Sequence, residues 1–208
     1  MMLEKPFTEF TAELGSASPV PGGGGAAAAA GALAVSLGRM VASLTTGKKK
    51  YAAYEEDMQR ILNRCTQLQG EFILLADRDA ECFAPLAAAY RLPKDTPEQA
   101  EHKQQVMEQC LREACTAPLD IMRAAVETVA ILEELAEKGS RLALSDAAAG
   151  AVLARACLQA ASLNVFINTK MMLDRTKAGE INTEAEAMLA DGCGRADAVY
   201  KAVMNSLK

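Results

Sequence analysis

Between Tyr54 and Tyr90 the apolar residues fall along one side of a helix. Tyr54, Met58, Ile61, Leu62, Cys65, Leu68, Phe72 and Leu75 recur three or four positions apart, and the stripe continues through Phe83 and Leu86. A rod of that length has to bury its apolar side against other helices, which directs the fold toward an all-α bundle of long helices. One position breaks the stripe. Asp79 lies four residues after Leu75 and four before Phe83, so helix geometry turns a carboxylate inward, where an unpaired charge is expensive.

The rest of the chain repeats the helical signal. Phe7, Phe10 and Leu14 behind Pro6 predict a short amphipathic helix ending at Gly15. An Ala-rich helix is expected over 26–46, with Ala27, Gly31, Ala34 and Gly38 forming a stripe of small residues that permits close packing, inside a bundle or across a dimer. Thr96 caps a helix begun by Pro97 and running to about Ala117. Pro118 then starts another or kinks one rod, which ends at Lys138-Gly139. Ser145-Asp146 opens a helix to about residue 174, and Thr183-x-x-Glu186 reads as the capping box of a final helix loosened by Gly192 and Gly194. Composition agrees: half of the 208 residues are hydrophobic, yet Trp is absent and Phe and Tyr contribute only five and four, so Ala and Leu supply the core. No repeat or long linker divides the sequence, and residues 1–208 read as one domain.

Charge and cysteine usage exclude several functions. A net charge of −5 gives no broad basic surface for nucleic acid. Six cysteines without a CxxC pair indicate neither a zinc site nor a disulfide scaffold, and fit a reducing cytosol. No basic start precedes an apolar run, so no signal peptide is expected, and 26–46, with Arg39 inside it, reads as buried in protein rather than in a membrane. His102 is the sole imidazole, in a solvated segment, which leaves little for a Ser-His or Cys-His system or a His-based metal site.

The residues that can carry chemistry are few. Pro21, Gly22, Gly23 and Gly24 end a Pro/Gly turn before a helix, where unpaired N–H groups meet an anion or carbonyl, or where the helix start packs tightly on a neighbour. No GK[ST] closes that turn, so it is not a nucleotide loop. Lys48, Lys49 and Lys50 are the one dense basic cluster, either a helix C-terminus or a dock for an acidic tail. Asp146 is a helix-start acid or a working carboxylate; Asp79 either pairs with Arg78 or Lys94 or marks a site. Asn164 and Asn168, one turn apart, bond each other and backbone or offer amides to a ligand.

Taken in order, Pro19-Val20-Pro21-Gly22-Gly23-Gly24, Leu44-Thr45-Thr46-Gly47-Lys48-Lys49-Lys50-Tyr51, Asp79-Ala80, Leu92-Pro93-Lys94, Ser145-Asp146 and Asn164-Val165-x-Ile167-Asn168 resemble the cyclodeaminase domain of the formiminotransferase-cyclodeaminase family, which includes free-standing methenyltetrahydrofolate cyclohydrolases. The resemblance covers nearly the whole chain. It implies an all-helical homodimer, free of metal and of any cofactor beyond a tetrahydrofolate substrate. The reaction implied is conversion of 5-formiminotetrahydrofolate to 5,10-methenyltetrahydrofolate and ammonia, or alternatively hydrolysis of the methenyl compound to 10-formyltetrahydrofolate. Asp79 and Asp146 would then divide pterin binding and proton transfer, Asn164 and Asn168 would read the pterin edge, the glycine turn would approach the substrate, and Lys48–Lys50 would draw its glutamate tail. Gly25 stands where the family usually has Ser. That departure favours a second class of function, a helical folate-binding or interaction module without turnover.

Overall fold

A computed structural model describes residues 1–208. The chain forms only helices: α1 (Phe7–Leu14), α2 (Gly23–Ser43), α3 (Glu55–Ala89), α4 (Pro97–Ala114), α5 (Thr116–Lys138), α6 (Leu144–Met171) and α7 (Arg175–Leu207), with short 3-10 turns at Met2–Glu4, Lys49–Tyr54 and Arg141–Ala143. The α3 stripe packs as its spacing predicts, with Met58, Ile61, Cys65, Leu68 and Phe72 fully buried.

Helix α2 is the hub, packed against α3, α5 and α6. Its small residues make this possible. Ala27, Gly31, Ala34 and Gly38 all face the interior of the bundle, so the small-residue stripe serves the core. A Cβ at Gly31 would lie 2.3 Å from the Phe72 ring, so any larger residue there would force α2 and α3 apart. Both α2 and the Arg141–Met171 segment are long and apolar enough to cross a bilayer; in this fold they pack on each other, and about half of each apolar window is buried in protein.

Several boundaries differ from the sequence expectation. Helix α2 starts three residues early, taking Gly23–Gly25 into its first turn, and stops at Ser43, so Lys48–Lys50 lie beyond its C-terminus, Lys48 extended just before the 3-10 segment and Lys49 and Lys50 inside it. Just past the stop, the buried Thr45 hydroxyl donates to the Val41 carbonyl at 2.7 Å and accepts the Ser140 N–H at 2.8 Å, tying this corner to the segment that leads into α6. The break between α4 and α5 falls at Cys115, with Pro118 the third residue of α5, where a missing N–H is harmless. The capping box at Thr96 and Gln99 forms. The one at Thr183 does not. Asp174 caps α7 through the Lys177 N–H at 2.9 Å, and the Thr183 hydroxyl bonds back to Gly179 inside a continuous helix, because Ala178, Ile181 and Ala185 give the earlier turns their own buried face. Gly192 does not loosen α7. It is buried against Leu158, where a Cβ would approach to 2.5 Å.

Candidate active site

At the N-terminal end of α2, four segments converge on a cleft of about 220 Å³ lined by Pro19, Val20, Gly22 and Gly23, by Asp79 and Phe83 of α3, by Ala114, and by Asn164, Ile167 and Asn168 of α6. Helical spacing supplies the side chains: Phe83 is one turn beyond Asp79, and Ile167 and Asn168 are one turn beyond Asn164. The Pro-rich turn, with a cis Val20–Pro21 bond, leads into an extended Gly22 that begins α2. Pro21 and Gly24 are buried behind the cleft wall.

Asp79 sits directly on the backbone of α2. A Cβ at Gly24 would lie 2.3 Å from its carboxyl carbon and from both oxygens, so glycine is the only residue that leaves room for this carboxylate. Asp79 makes no ion pair; neighbouring Arg78 turns away to Asp120 at 2.8 Å. Burial pushes the Asp79 carboxyl up to about 6. The N-terminal end of α2, with its unpaired N–H groups, favours the anion from the other side. The result is a carboxylate that exchanges a proton near neutral pH.

Asn164 and Asn168 do not bond each other. Asn164 donates to the Ala160 carbonyl at 2.9 Å and packs its amide 3.2 Å from where a Gly23 Cβ would be, while Asn168 donates to the Ala114 carbonyl at 3.1 Å, clamping the end of α4. Each amide oxygen remains free to accept from a ligand. Together with Asp79 they present three acceptors in one small cleft, a pattern suited to a flat heterocycle rich in N–H donors.

The remaining expected residues are elsewhere. Asp146 is the third residue of α6 and Asn164 lies 18 positions later, a separation of about 27 Å along the helix. Lys48, Lys49 and Lys50 are exposed at the far end of α2, about 30 Å from Gly23 by the same rise, and form no ion pair. They share that end of the bundle with Asp146. There the Tyr51 hydroxyl accepts the Arg141 N–H at 3.0 Å and lies beside Lys50, which together hold its phenol below the usual value. Sequence reasoning missed Phe83, Ile167 and the Ala114 carbonyl as parts of the cleft; their helical phase with Asp79 and Asn164 was the available signal. No three His, Cys, Asp or Glu side chains converge in the manner of a metal site. A larger groove of about 760 Å³ between α3 and α5 is lined by several charges that pair, such as Arg64 with Glu71 and Arg123 with Asp120, and by Asp77 and Glu81, which form no ion pair; one Asp77 carboxylate oxygen is buried without a partner.

Comparison with known proteins points to one family. A family model described as formiminotransferase-cyclodeaminase matches residues 6–187. A methenyltetrahydrofolate cyclohydrolase of Methylorubrum extorquens is 36% identical over 198 residues, 95% of each chain. The formimidoyltransferase-cyclodeaminase of Rattus norvegicus is 32% identical over 83% of this chain, which spans only 32% of that longer protein. The crystal structure of formiminotetrahydrofolate cyclodeaminase from Thermotoga maritima superposes with a TM-score of 0.83 at 29% identity, covering 98% of this chain and all of that one.

Proposed function

Because this chain belongs to the formiminotransferase-cyclodeaminase family, we propose that it acts on the one-carbon bridge between nitrogen 5 and nitrogen 10 of tetrahydrofolate, and that its reaction is hydrolysis of 5,10-methenyltetrahydrofolate to 10-formyltetrahydrofolate. The observation that carries the reading is Asp79: a carboxylate without a cationic partner, seated on the N-terminal turn of α2 beside two amide oxygens in a cleft open to water. In the proposed step, water adds to the methenyl carbon as Asp79 takes its proton. The N5–C bond then breaks as nitrogen 5 receives a proton, leaving the formyl group on nitrogen 10 and releasing one proton overall. A group titrating near 6 is well matched to both transfers. Its negative charge also complements the cation, and the two asparagines hold the pterin edge. The full-length likeness to the Methylorubrum cyclohydrolase supports hydrolysis over the alternative.

The second reading is cyclodeamination, supported by the close superposition on the Thermotoga cyclodeaminase. There nitrogen 10 attacks the formimino carbon on nitrogen 5, the tetrahedral adduct forms, and a proton delivered to the exocyclic nitrogen lets ammonia leave. The proposal takes residues 1–208 as one catalytic domain, a cytosolic homodimer that needs no metal or added cofactor and does not act on nucleic acid or membranes. Its substrate carries a monoglutamate or polyglutamate tail that Lys48–Lys50 attract. Purified protein offered 5,10-methenyltetrahydrofolate should accelerate loss of methenyl absorbance without ammonia. Ammonia release from 5-formiminotetrahydrofolate would transfer the assignment to cyclodeamination, and no effect on either compound would leave a binding module without turnover.

A further inference from the structure

Asn168 finds its partner at a gap in a neighbouring helix. Its Nδ2 donates at 3.1 Å to the carbonyl of Ala114, the last residue of α4. In helical register that carbonyl would accept the N–H four residues on, and the residue four on is Pro118, which has none to give. The register does run across the break. Cys115 between the two helices has helical angles, φ −81° and ψ −19°, and the Leu119 N–H reaches the Cys115 carbonyl at 3.2 Å. An N–H at position 118 would therefore point at the Ala114 carbonyl. With proline there, an acceptor on a residue only 5% exposed has lost its helical donor and must find another. The Cys115 thiol holds the same junction against α6, donating to the Val165 carbonyl at 3.9 Å; burial pushes this thiol up to about 11, so it keeps its proton. Because a carbonyl can only accept, Ala114 takes the NH2 end of the Asn168 amide and leaves Oδ1 as the free end, in the cleft that both residues line. A flipped amide would set two oxygens against each other. Asn164 needs no such gap, since it donates to Ala160, one turn back on its own helix.

We propose that Pro118 is a positioning residue for the cleft: by withholding an N–H from the Ala114 carbonyl it reserves that acceptor for Asn168, and so fixes the Asn168 amide oxygen as an acceptor for N–H groups of the substrate. The identity of the ligand rests on the folate reading above; the orientation of the amide does not. Pro118 is buried and lines no part of the cleft, so it acts through Ala114 alone. The consequence is selectivity. A heterocycle edge that offers N–H groups meets an acceptor, whereas an amide free to turn would also present its own N–H groups and oppose donor with donor. Proline in the first turn of α5 leaves that helix intact, and its effect is felt one turn earlier, on a carbonyl of α4.

The test separates the missing N–H from the proline ring. Pro118→Ala supplies the N–H in a residue that favours helix, so helix content by circular dichroism should hold. Pro118→lactic acid, the ester counterpart of alanine, carries the same methyl group without the N–H. Pro118→Ala should raise KM for 5,10-methenyltetrahydrofolate and weaken tetrahydrofolate binding by about tenfold, the worth of one hydrogen bond, while kcat changes less. The ester variant should bind as the wild type does, to within about twofold. Pro118→Ser, which brings two donors within reach of the same carbonyl, should weaken binding at least as much as alanine and serves if Pro118→Ala folds poorly. Asn168→Ala should cost a similar factor, and adding Pro118→Ala to it should cost nothing more, because one residue works through the other. Equal binding by the alanine and ester variants, or additive losses in the double variant, would overturn the proposal. The orientation is also read without any folate. By NMR the Asn168 side-chain NH2 signal, assigned by its loss in Asn168→Ala, should resist exchange with water in the wild type and lose that protection in Pro118→Ala. Unchanged protection would refute the positioning role even in an active enzyme. Loss of protection in a protein that binds neither folate would sustain the role and place the failure in the functional reading.

Discussion

The two ends of α2 solve opposite problems. At its N-terminus a carboxylate is pressed against bare backbone with no cation to neutralise it, and two amides keep their oxygens free. At its C-terminus Thr45 bonds both Val41 and Ser140 and Tyr51 holds Arg141, the adjoining Thr46 hydroxyl is buried without a partner, and the charged groups, Lys48–Lys50, stand in solvent. Half-buried carboxylate and amide oxygens that no protein donor completes are open to completion by a ligand. The first end therefore suits the proposed chemistry, and the same proposal gives the second the task of collecting and steering an anion.

Replacing Asp79 with Asn tests the contrast most severely. Turnover should fall at least about a hundredfold, because amide nitrogen cannot accept the proton, while helix content by circular dichroism stays intact. Gly24→Ala should come next. It places a methyl group inside the Asp79 carboxyl, and activity should fall by about tenfold or more even though alanine favours helix. Converting all three of Lys48–Lys50 to Ala should leave kcat and raise KM by about tenfold for a polyglutamylated substrate, with a weaker effect on the monoglutamate and one that fades at high salt. Equal effects on both tail lengths would remove the steering role.

The smallest effect is on stability, and its sign is informative. Burial raises the folded Asp79 carboxyl from its ordinary 3.8 to about 6, so folding favours the protonated form. That contribution is complete below the unfolded value and is lost as pH rises through about 6. Asp79→Asn, always neutral, should therefore be the more stable protein at pH 8 by about 1–2 kcal/mol in urea unfolding after allowance for partial exposure, and no more stable near pH 3. The wild-type kcat/KM for hydrolysis should rise with pH through the same region as Asp79 ionises.

Much of this was legible in residue order. The α3 stripe and its one inward carboxylate gave both a core element and the leading catalytic candidate, because helical phase alone decides which side Asp79 faces. The glycines before α2 and the asparagine pair were also visible, and they do meet. What could not be read was distance. Ser145-Asp146 and Lys48–Lys50 looked equivalent to Asp79 and Asn164 as motifs, but nothing local in a sequence states that α2 and α6 run antiparallel and carry them to opposite ends. Thr183 failed for a related reason: a capping box is a local preference, and the buried face over Ala178 and Ile181 outweighs it.

Helix α6 also behaves as a measuring rod with a phase. Inserting one residue between Asp146 and Asn164 would rotate one against the other by about 100° and lengthen the gap by only about 1.5 Å, so orientation would be lost long before reach. Insertions of seven residues, nearly two whole turns, would keep the facing and change the span. Length variation in this helix should therefore be tolerated in pairs of turns or not at all.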